Sequence, residues 1–131
     1  MNETKHPSTP GNAWKWFDPR GRQPGTWGFI LNRITALGLT LYLFLHLYML
    51  RQLAEGPASY EGFLETIHSP IFIFGEFLVV AGGFIHGLNG IRIGLNSFGI
   101  GVTYQKQLLY VMMAIAILGS LYFAVKMFGL A

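Results

Sequence analysis

The sequence has no cysteine among its 131 residues. This absence excludes a disulfide framework, a thiolate zinc site and covalent attachment of haem through a CxxCH motif. It also excludes an iron–sulfur cluster held by cysteines of this chain. Any metal ion held by the chain must therefore rest on histidine or carboxylate ligands.

Charge is also scarce, since 11% of the residues are charged, whereas soluble domains have about 25%. Hydrophobic residues make up 52% of the chain, and the mean hydropathy is +0.43. The net charge of +3 does not indicate a nucleic-acid partner, because the basic residues cluster at the ends of apolar blocks. The composition predicts a small integral membrane protein of one domain that contacts the lipid bilayer.

Three apolar blocks approach the length of about 20 residues that a helix needs to cross a bilayer. The first is free of charge from Ile34 through Leu50, and the third has no charged residue before Lys126. The second starts with Ser69 as a potential N-cap and Pro70 at the first helical position. We predict an all-α membrane protein with three transmembrane helices, at about residues 29–53, 70–95 and 108–126.

Residues 1–28 differ from the rest, because they are rich in Pro, Gly and Trp and lack helical periodicity. We predict an extended polar arm over residues 1–28 and a membrane anchor over residues 29–131. We expect the predicted helices to be joined by loops at residues 54–68 and 100–107. Seven of the nine Lys and Arg residues fall on the side of the arm and of this second loop, which predicts a cytoplasmic amino terminus and an external carboxyl terminus. The seven are Lys5, Lys15, Arg20, Arg22, Arg33, Arg92 and Lys106, and the two on the opposite side are Arg51 and Lys126.

Two of the four histidines, His46 and His86, lie inside the apolar blocks. A polar ionisable residue inside a membrane helix is costly without a partner, so each is a candidate ligand of a metal ion or haem. The alternative is a neutral imidazole that hydrogen-bonds to a neighbouring helix. A carboxylate, Glu76, lies in the second block and is a candidate for a proton path or for a hydrogen-bonded carboxyl between helices.

The surroundings of His86 favour a flat ligand. One helical turn on either side places small or short residues beside the imidazole, which leaves room for a macrocycle or, alternatively, for close helix packing. Arg92 follows about 9 Å further along the helix axis, where its guanidinium can meet a haem propionate or simply extend to the membrane surface. The residues on the open face are Gly82, Gly83, Asn89 and Gly90.

The two histidines lie at different depths. His46 follows Arg33 by thirteen residues, roughly 20 Å, whereas His86 lies only about 9 Å from Arg92 on a helix that runs back. The difference of about 10 Å is too large for one iron whose nitrogen ligands are at about 2 Å. If both are ligands, there are two haems, and each takes its second histidine from another chain. The chain is then half of a dihaem pair of subunits.

Two segments resemble a known family, the cytochrome b membrane anchors of succinate:quinone oxidoreductase, or respiratory complex II. Residues 85–92 (IHGLNGIR) resemble the family's His-x-x-x-Gly-Ile-Arg segment, in which the histidine ligates haem b. Residues 31–35 (LNRIT) are similar to its His-Arg-x-Ser/Thr-Gly segment, in which the arginine approaches quinone and haem propionate, although Asn32 replaces the histidine. The resemblance extends from about Trp27 to Tyr110.

The resemblance implies a function and a set of site residues. His86 would ligate the haem nearer the cytoplasm and His46 the outer haem, as in anchors that carry two haems on two subunits. Arg33 would contact quinone and a propionate, and the nearby quinone candidates are Asn32, Thr35 and Trp27. The substrate would be menaquinone or ubiquinone. Further partners would be a second anchor, an iron–sulfur subunit and a flavoprotein subunit on which succinate is oxidised, so this chain would not be catalytic alone.

Three alternatives stay open. The chain can be the anchor of a quinol:fumarate reductase, a haem-free structural anchor, or a small structural or transporter-associated membrane protein whose glycines are packing seams. The chain carries no Arg-rich amphipathic presequence, which favours the plasma membrane of a prokaryote.

Overall fold

The structure, a computed structural model, describes residues 20–21 and 23–129. Most of the predicted arm, residues 1–19 together with Arg22, lies outside the described residues. The last two residues, 130–131, lie outside them as well. The extended conformation expected for residues 1–19 therefore stays a prediction.

The described part of the chain is helical and contains no strand. Three of its segments are long and apolar enough to cross a membrane, namely α1, α3 and the segment Val102–Met127 that includes α4. The predicted all-α fold with three membrane-spanning helices is thus confirmed. The elements in chain order are α1 (Pro24–Ala54), α2 (Pro57–Ile67), α3 (Pro70–Ser97), a short 3-10 helix (Val102–Tyr104) and α4 (Gln105–Met127).

Helix α1 begins at Pro24, five residues before the predicted start at residue 29. Residues 24–28, which were predicted to belong to the arm, are therefore helical. Proline suits this first position because its missing N–H has no helical partner there and its φ is already helical. Packing of Gly28 against α3 and α4 also holds this first turn, and the composition of residues 1–28 carries no sign of that packing.

Helix α3 begins at Pro70, as predicted. Ser69 has the extended backbone of an N-cap, with φ −71° and ψ 146°, but its side chain makes no capping hydrogen bond. Ser69 is therefore the N-cap residue, as predicted, although its side chain contributes no hydrogen bond to the cap. The first turn is held by the Ser69 carbonyl, which accepts hydrogen bonds from the backbone N–H groups of Phe72 and Ile73 at 3.0 and 3.2 Å.

The segment between the first two spans is a helix, α2, and not the loop that we expected over residues 54–68. Gly56 separates it from α1 with φ 114°, a conformation that favours glycine, and Pro57 starts it. Its acidic residues obscure an apolar stripe with the spacing i, i+3, i+4 and i+7 of an amphipathic helix. This stripe consists of Tyr60, Phe63, Leu64 and Ile67.

Helices α3 and α4 pack closely where Gly119 of α4 contacts the aromatic ring of Phe84 in α3. A Cβ atom at Gly119 would lie 2.9 Å from Cζ of Phe84, so a larger residue would collide with the ring. The Phe84 ring also contacts Phe123, with ring centroids 5.9 Å apart. Further along the same pair of helices, the rings of Phe77 and Phe128 meet edge to face at 6.1 Å.

The single chain buries little apolar surface. Within the described residues, the buried hydrophobic side chains are Ile30, Leu109 and Ala116. Large apolar side chains on all three spans are exposed, for example Leu41 at 64% and Leu118 at 67%. A monomer in water does not tolerate this much exposed apolar surface, so lipid or another membrane chain must cover these faces.

Candidate functional site

The face that joins α1 and α3 contains the polar residues of the candidate site. The two helices run antiparallel, and their contacts set a regular register in which residue numbers rise on α1 as they fall on α3. Gly82 of α3 faces α1, since its Cβ position lies 4.0 Å from Cδ2 of Leu39, an ordinary contact distance. The pairs in contact are Gly28 with Asn89, Asn32 and Thr35 with His86, and Leu39 with Gly82.

His86 points toward the backbone of α1. Its Nδ1 atom lies 3.1 Å from the carbonyl oxygen of Asn32 and 3.4 Å from the hydroxyl oxygen of Thr35, which itself donates to the Leu31 carbonyl. Because a carbonyl oxygen only accepts, Nδ1 carries the ring proton and donates it to Asn32. The Nε2 atom therefore keeps its lone pair, and it makes no hydrogen bond within the described residues.

The predicted open face beside His86 is present in part. Gly83 and Gly90 face open space, since no atom lies within 4 Å of the position that a Cβ atom would occupy at either residue. Asn89 does not belong to this face, because its side chain is fully buried and donates to the Gly28 carbonyl of α1 at 2.7 Å. The open face next to the imidazole is therefore narrower than the sequence predicted.

Arg92 is also buried, with 4% of its surface exposed. Its Nε atom donates to Oδ1 of Asn89 at 2.9 Å. The guanidinium turns toward the junction of α1, α3 and α4, where Nη2 lies 3.3 Å from the Cβ position of Gly28. Burial of a charged group requires compensating partners, which makes Arg92 a candidate contact for an anionic ligand.

His46 lies on α1 at the far end of the same face. Its Nδ1 atom is 3.3 Å from the hydroxyl oxygen of Tyr42, one helical turn earlier. Both side chains line a cavity of about 620 Å³ between α1, α2 and α3. Glu76 lines this cavity too, so the structure brings His46 and Glu76 to one site, a grouping that the sequence did not predict.

The two histidines are separated by more than the sequence predicted. His86 is level with Thr35, and His46 follows Thr35 by eleven residues, which is about 16 Å of helix. The predicted separation of about 10 Å assumed that both arginines mark the membrane edge, whereas Arg92 lies inside the bundle. The separation rules out one iron bound by both imidazoles, whose nitrogens would each be at about 2 Å.

The remaining quinone candidates fall into two groups. Asn32 and Thr35 lie against His86, and Oδ1 of Asn32 is buried without a hydrogen-bond partner among the described residues. Arg33 is exposed, and its guanidinium lies 4.2 Å above the ring of Phe29, a distance typical of a cation–π contact. Trp27 is 46% exposed at the first turns of α1.

The sequence did not identify Gly28 as a site residue, and it placed Asn89 only on the open face beside His86. Asn89 lies three residues after His86 and three before Arg92, so all three are on one side of α3, a spacing that could have identified it. No sequence signal identifies Gly28, since the close approach of α1 to α3 and α4 is a property of the packed helices. The residues of α2 that line the cavity were also missed, because the segment was expected to be a loop.

Comparisons with known proteins agree with this architecture. A family model described as the succinate dehydrogenase/fumarate reductase transmembrane subunit matches residues 18–125. The chain is similar to the succinate dehydrogenase 2 membrane subunit SdhC of Mycobacterium tuberculosis, with 32% identity over 96 residues, which are 72% of this chain and 71% of that protein. It is also similar to the succinate dehydrogenase hydrophobic membrane anchor subunit of Halobacterium salinarum, with 29% identity over 87 residues, which are 66% and 67% of the two chains. The chain therefore belongs to the family of succinate dehydrogenase and fumarate reductase transmembrane subunits, the membrane anchors of respiratory complex II.

Proposed function

We propose that this anchor subunit binds haem b through His86 and His46 and helps to form the quinone site of a succinate dehydrogenase. The observation that carries the proposal is the hydrogen bond between Nδ1 of His86 and the Asn32 carbonyl. Histidines that bind metal ions commonly donate their other ring N–H to a carbonyl or carboxylate, which fixes the tautomer and the ring orientation. His86 has this arrangement, with Nε2 left to bind iron.

The surroundings of His46 support a second haem. The cavity of about 620 Å³ lies within the range of about 300–1,000 Å³ that is usual for ligand sites. Its walls are mainly apolar side chains, which suits a macrocycle, and the Tyr42 hydroxyl orients the imidazole through Nδ1. The apolar lining includes Leu41, Leu45, Met49, Leu50, Leu53, Phe63, Ile67 and Phe72.

The separation of the two histidines supports two different haems, each of which would then require a second ligand from outside this chain. We therefore propose a second membrane anchor as the partner that supplies the other two axial ligands. The extensive exposed apolar surface of α1, α3 and α4 is consistent with such a partner and with lipid. Within this pair, the chain is one half of the helix bundle.

A haem with two imidazole ligands supplies reversible one-electron transfer when it is bound. The residues of this chain hold and surround it. Arg92, and Arg33 nearer the surface, provide positive charge for propionates, and charge near a haem tunes its potential. The buried and unpartnered Oδ1 of Asn32 supports a polar ligand next to His86, so we place the quinone among Asn32, Arg33, Thr35 and Trp27.

The succinate chemistry belongs to other subunits. The chain has no cysteine for an iron–sulfur cluster, so we propose an iron–sulfur subunit and a flavoprotein subunit as its cytoplasmic partners. Both similar proteins are named as subunits of succinate dehydrogenase, which favours succinate oxidation over fumarate reduction. The reduced quinone is menaquinol or ubiquinol, and Glu76 in the outer cavity is our candidate for a proton path.

Counting haem in the purified complex tests the proposal. A pyridine haemochrome assay on wild type, His86→Leu and His46→Leu is expected to give two haems b per anchor pair in wild type and one in each variant, because each substitution removes one axial ligand. His68→Leu is the matched control, since His68 lies at the end of α2 and lines neither candidate site. It is expected to retain both haems.

Other haem counts contradict parts of the proposal. If the wild-type complex contains one haem and only His86→Leu loses it, His46 is not a haem ligand and only lines the cavity. A complex without haem would leave a haem-free anchor in which both imidazoles are hydrogen-bonding groups. A loss in His68→Leu would show that the counts report on assembly and not on ligation.

A further inference from the structure

Arg92 is buried, but most of its N–H donors make no hydrogen bond with the described residues. Of the five N–H donors of an arginine, the Nε–H donates to Asn89. Within the described residues, Nη1 and Nη2 make no hydrogen bond, and they are not among the fully enclosed unpartnered atoms, so this edge reaches the small part of Arg92 that is exposed, 4% of its surface. A buried guanidinium without an anion is strongly unfavourable. The arrangement points to an anionic group from outside the described residues that binds the Nη1–Nη2 edge.

Asn89 holds the other side of the guanidinium. Its Nδ2 atom donates to the Gly28 carbonyl at 2.7 Å, and its Oδ1 atom accepts from Nε of Arg92 at 2.9 Å. The first partner only accepts and the second only donates, so the orientation of the amide is fixed by its partners. Rotation of the amide would break both hydrogen bonds, and Asn89 is fully buried, so no water replaces them.

Gly28 makes this arrangement possible. A Cβ atom at this position would lie 3.2 Å from Oδ1 of Asn89, 3.3 Å from Nη2 of Arg92 and 2.8 Å from Cδ1 of Leu109. Any other residue would therefore press against both the amide and the guanidinium. The absence of a side chain brings the backbone of α1 close enough to anchor Asn89.

We propose that Asn89, anchored to the Gly28 carbonyl, is a positioning residue that holds Arg92 with its Nη1–Nη2 edge presented to a carboxylate. With Nε engaged, this edge retains two parallel N–H donors, the geometry that binds a carboxylate bidentately. The inference rests on the proposed function, since it takes the carboxylate to be a propionate of the haem on His86. A cation held at that place stabilises the reduced haem, because reduction removes one positive charge.

A double-mutant cycle on the haem potential tests this role in the purified complex. Asn89→Leu removes both hydrogen bonds at similar side-chain volume and is expected to lower the midpoint potential of the His86 haem. The shift is expected to vanish when the same substitution is made in an Arg92→Gln background, since Asn89 acts through Arg92. Asn96→Leu, which removes an amide from the same helix that makes no hydrogen bond with Arg92 within the described residues, is expected to leave the potential unchanged.

Three results would overturn the proposal. These are an unchanged potential in Asn89→Leu, an equal shift in the Arg92→Gln background, or an equal shift in Asn96→Leu. The second would assign Asn89 to packing alone. If Asn89→Leu does not assemble, Gly28→Ala takes its place in the cycle, because it displaces the same guanidinium while it keeps the Asn89 amide.

A readout that does not depend on haem separates this proposal from the proposed function. Phenylglyoxal modification of Arg92, followed by peptide mass spectrometry of the complex, is expected to be slow in wild type and in Asn96→Leu. It is expected to be about tenfold faster in Asn89→Leu, which lacks one hydrogen bond to a charged group. A wild-type complex without haem would contradict the identification of the carboxylate as a haem propionate. Equal modification rates in wild type and Asn89→Leu would contradict the positioning role of Asn89.

Discussion

At the scale of single residues, Gly119 decides how closely α3 and α4 approach. Its Cβ position lies 2.9, 3.0 and 3.2 Å from three ring atoms of Phe84, distances that real Cβ atoms rarely show. The ring is also in contact with Phe123, which limits how far it can move aside. Close packing of small residues against large ones is a main source of affinity between membrane helices.

Gly119→Ala is therefore expected to destabilise the complex by about 1–3 kcal/mol, the usual cost of overpacking. The measurement is the apparent melting temperature of the detergent-solubilised complex. Gly62→Ala is the matched control, since no atom lies within 4 Å of its Cβ position and alanine favours a helix by about 1 kcal/mol. If both variants melt at the wild-type temperature, the Phe84 ring yields and the contact does not limit packing.

At the scale of elements, α2 forms one wall of the cavity beside His46. Tyr60, Phe63 and Ile67 line the cavity, while Glu61 and Glu65 are exposed on the other side of the helix. Hydrogen bonds across the turn attach α2 to the end of α1. The Ser59 hydroxyl lies 2.5 Å from Oε1 of Gln52 and 3.5 Å from Oε2 of Glu55, whose other oxygen accepts from Nε of Arg51 in α1 at 2.7 Å.

The two faces of α2 are expected to react differently with a membrane-impermeant maleimide. The natural chain has no cysteine, so a single introduced thiol reports on its own site. Glu61→Cys is expected to label rapidly, because its side chain is exposed, and Phe63→Cys at least several-fold more slowly, because it faces the cavity. Equal rates would mean that α2 does not cover the cavity in the complex.

At the scale of the whole molecule, the exposed apolar surface and the distribution of charge set the relation to the membrane. With three candidate spans, the start of α1 and the end of α4 are expected on opposite sides of the membrane. The excess of Lys and Arg at the arm and the second loop predicts that this side is cytoplasmic. It would also be the side that holds the soluble subunits.

Labelling of intact cells tests this orientation. Lys126→Cys, at the external end of α4, is expected to react with the impermeant reagent from outside, whereas Tyr104→Cys, before α4, is expected to react only after permeabilisation. Labelling of both variants in detergent checks that each thiol is reactive. The reverse pattern would place the amino terminus outside and contradict the proposed docking side.

The hydropathy pattern by itself determined the three spans, and Pro70 marked the start of α3 correctly. The segments around Arg33 and His86 also sufficed to indicate the family, which the comparisons confirmed. These features are local, because bilayer length and helix punctuation act within about one helix. The haem ligands, the quinone residues and the orientation stay predictions.

Only the tertiary structure decided which atom of His86 is left to bind a ligand, because its ring proton goes to a carbonyl 54 residues away in the chain. The burial of Arg92, the anchoring of Asn89 on Gly28 and the cavity shared by His46 and Glu76 have the same origin. A hydrogen bond or a buried charge depends on the backbone that lies opposite. Hydropathy along one helix does not contain that information.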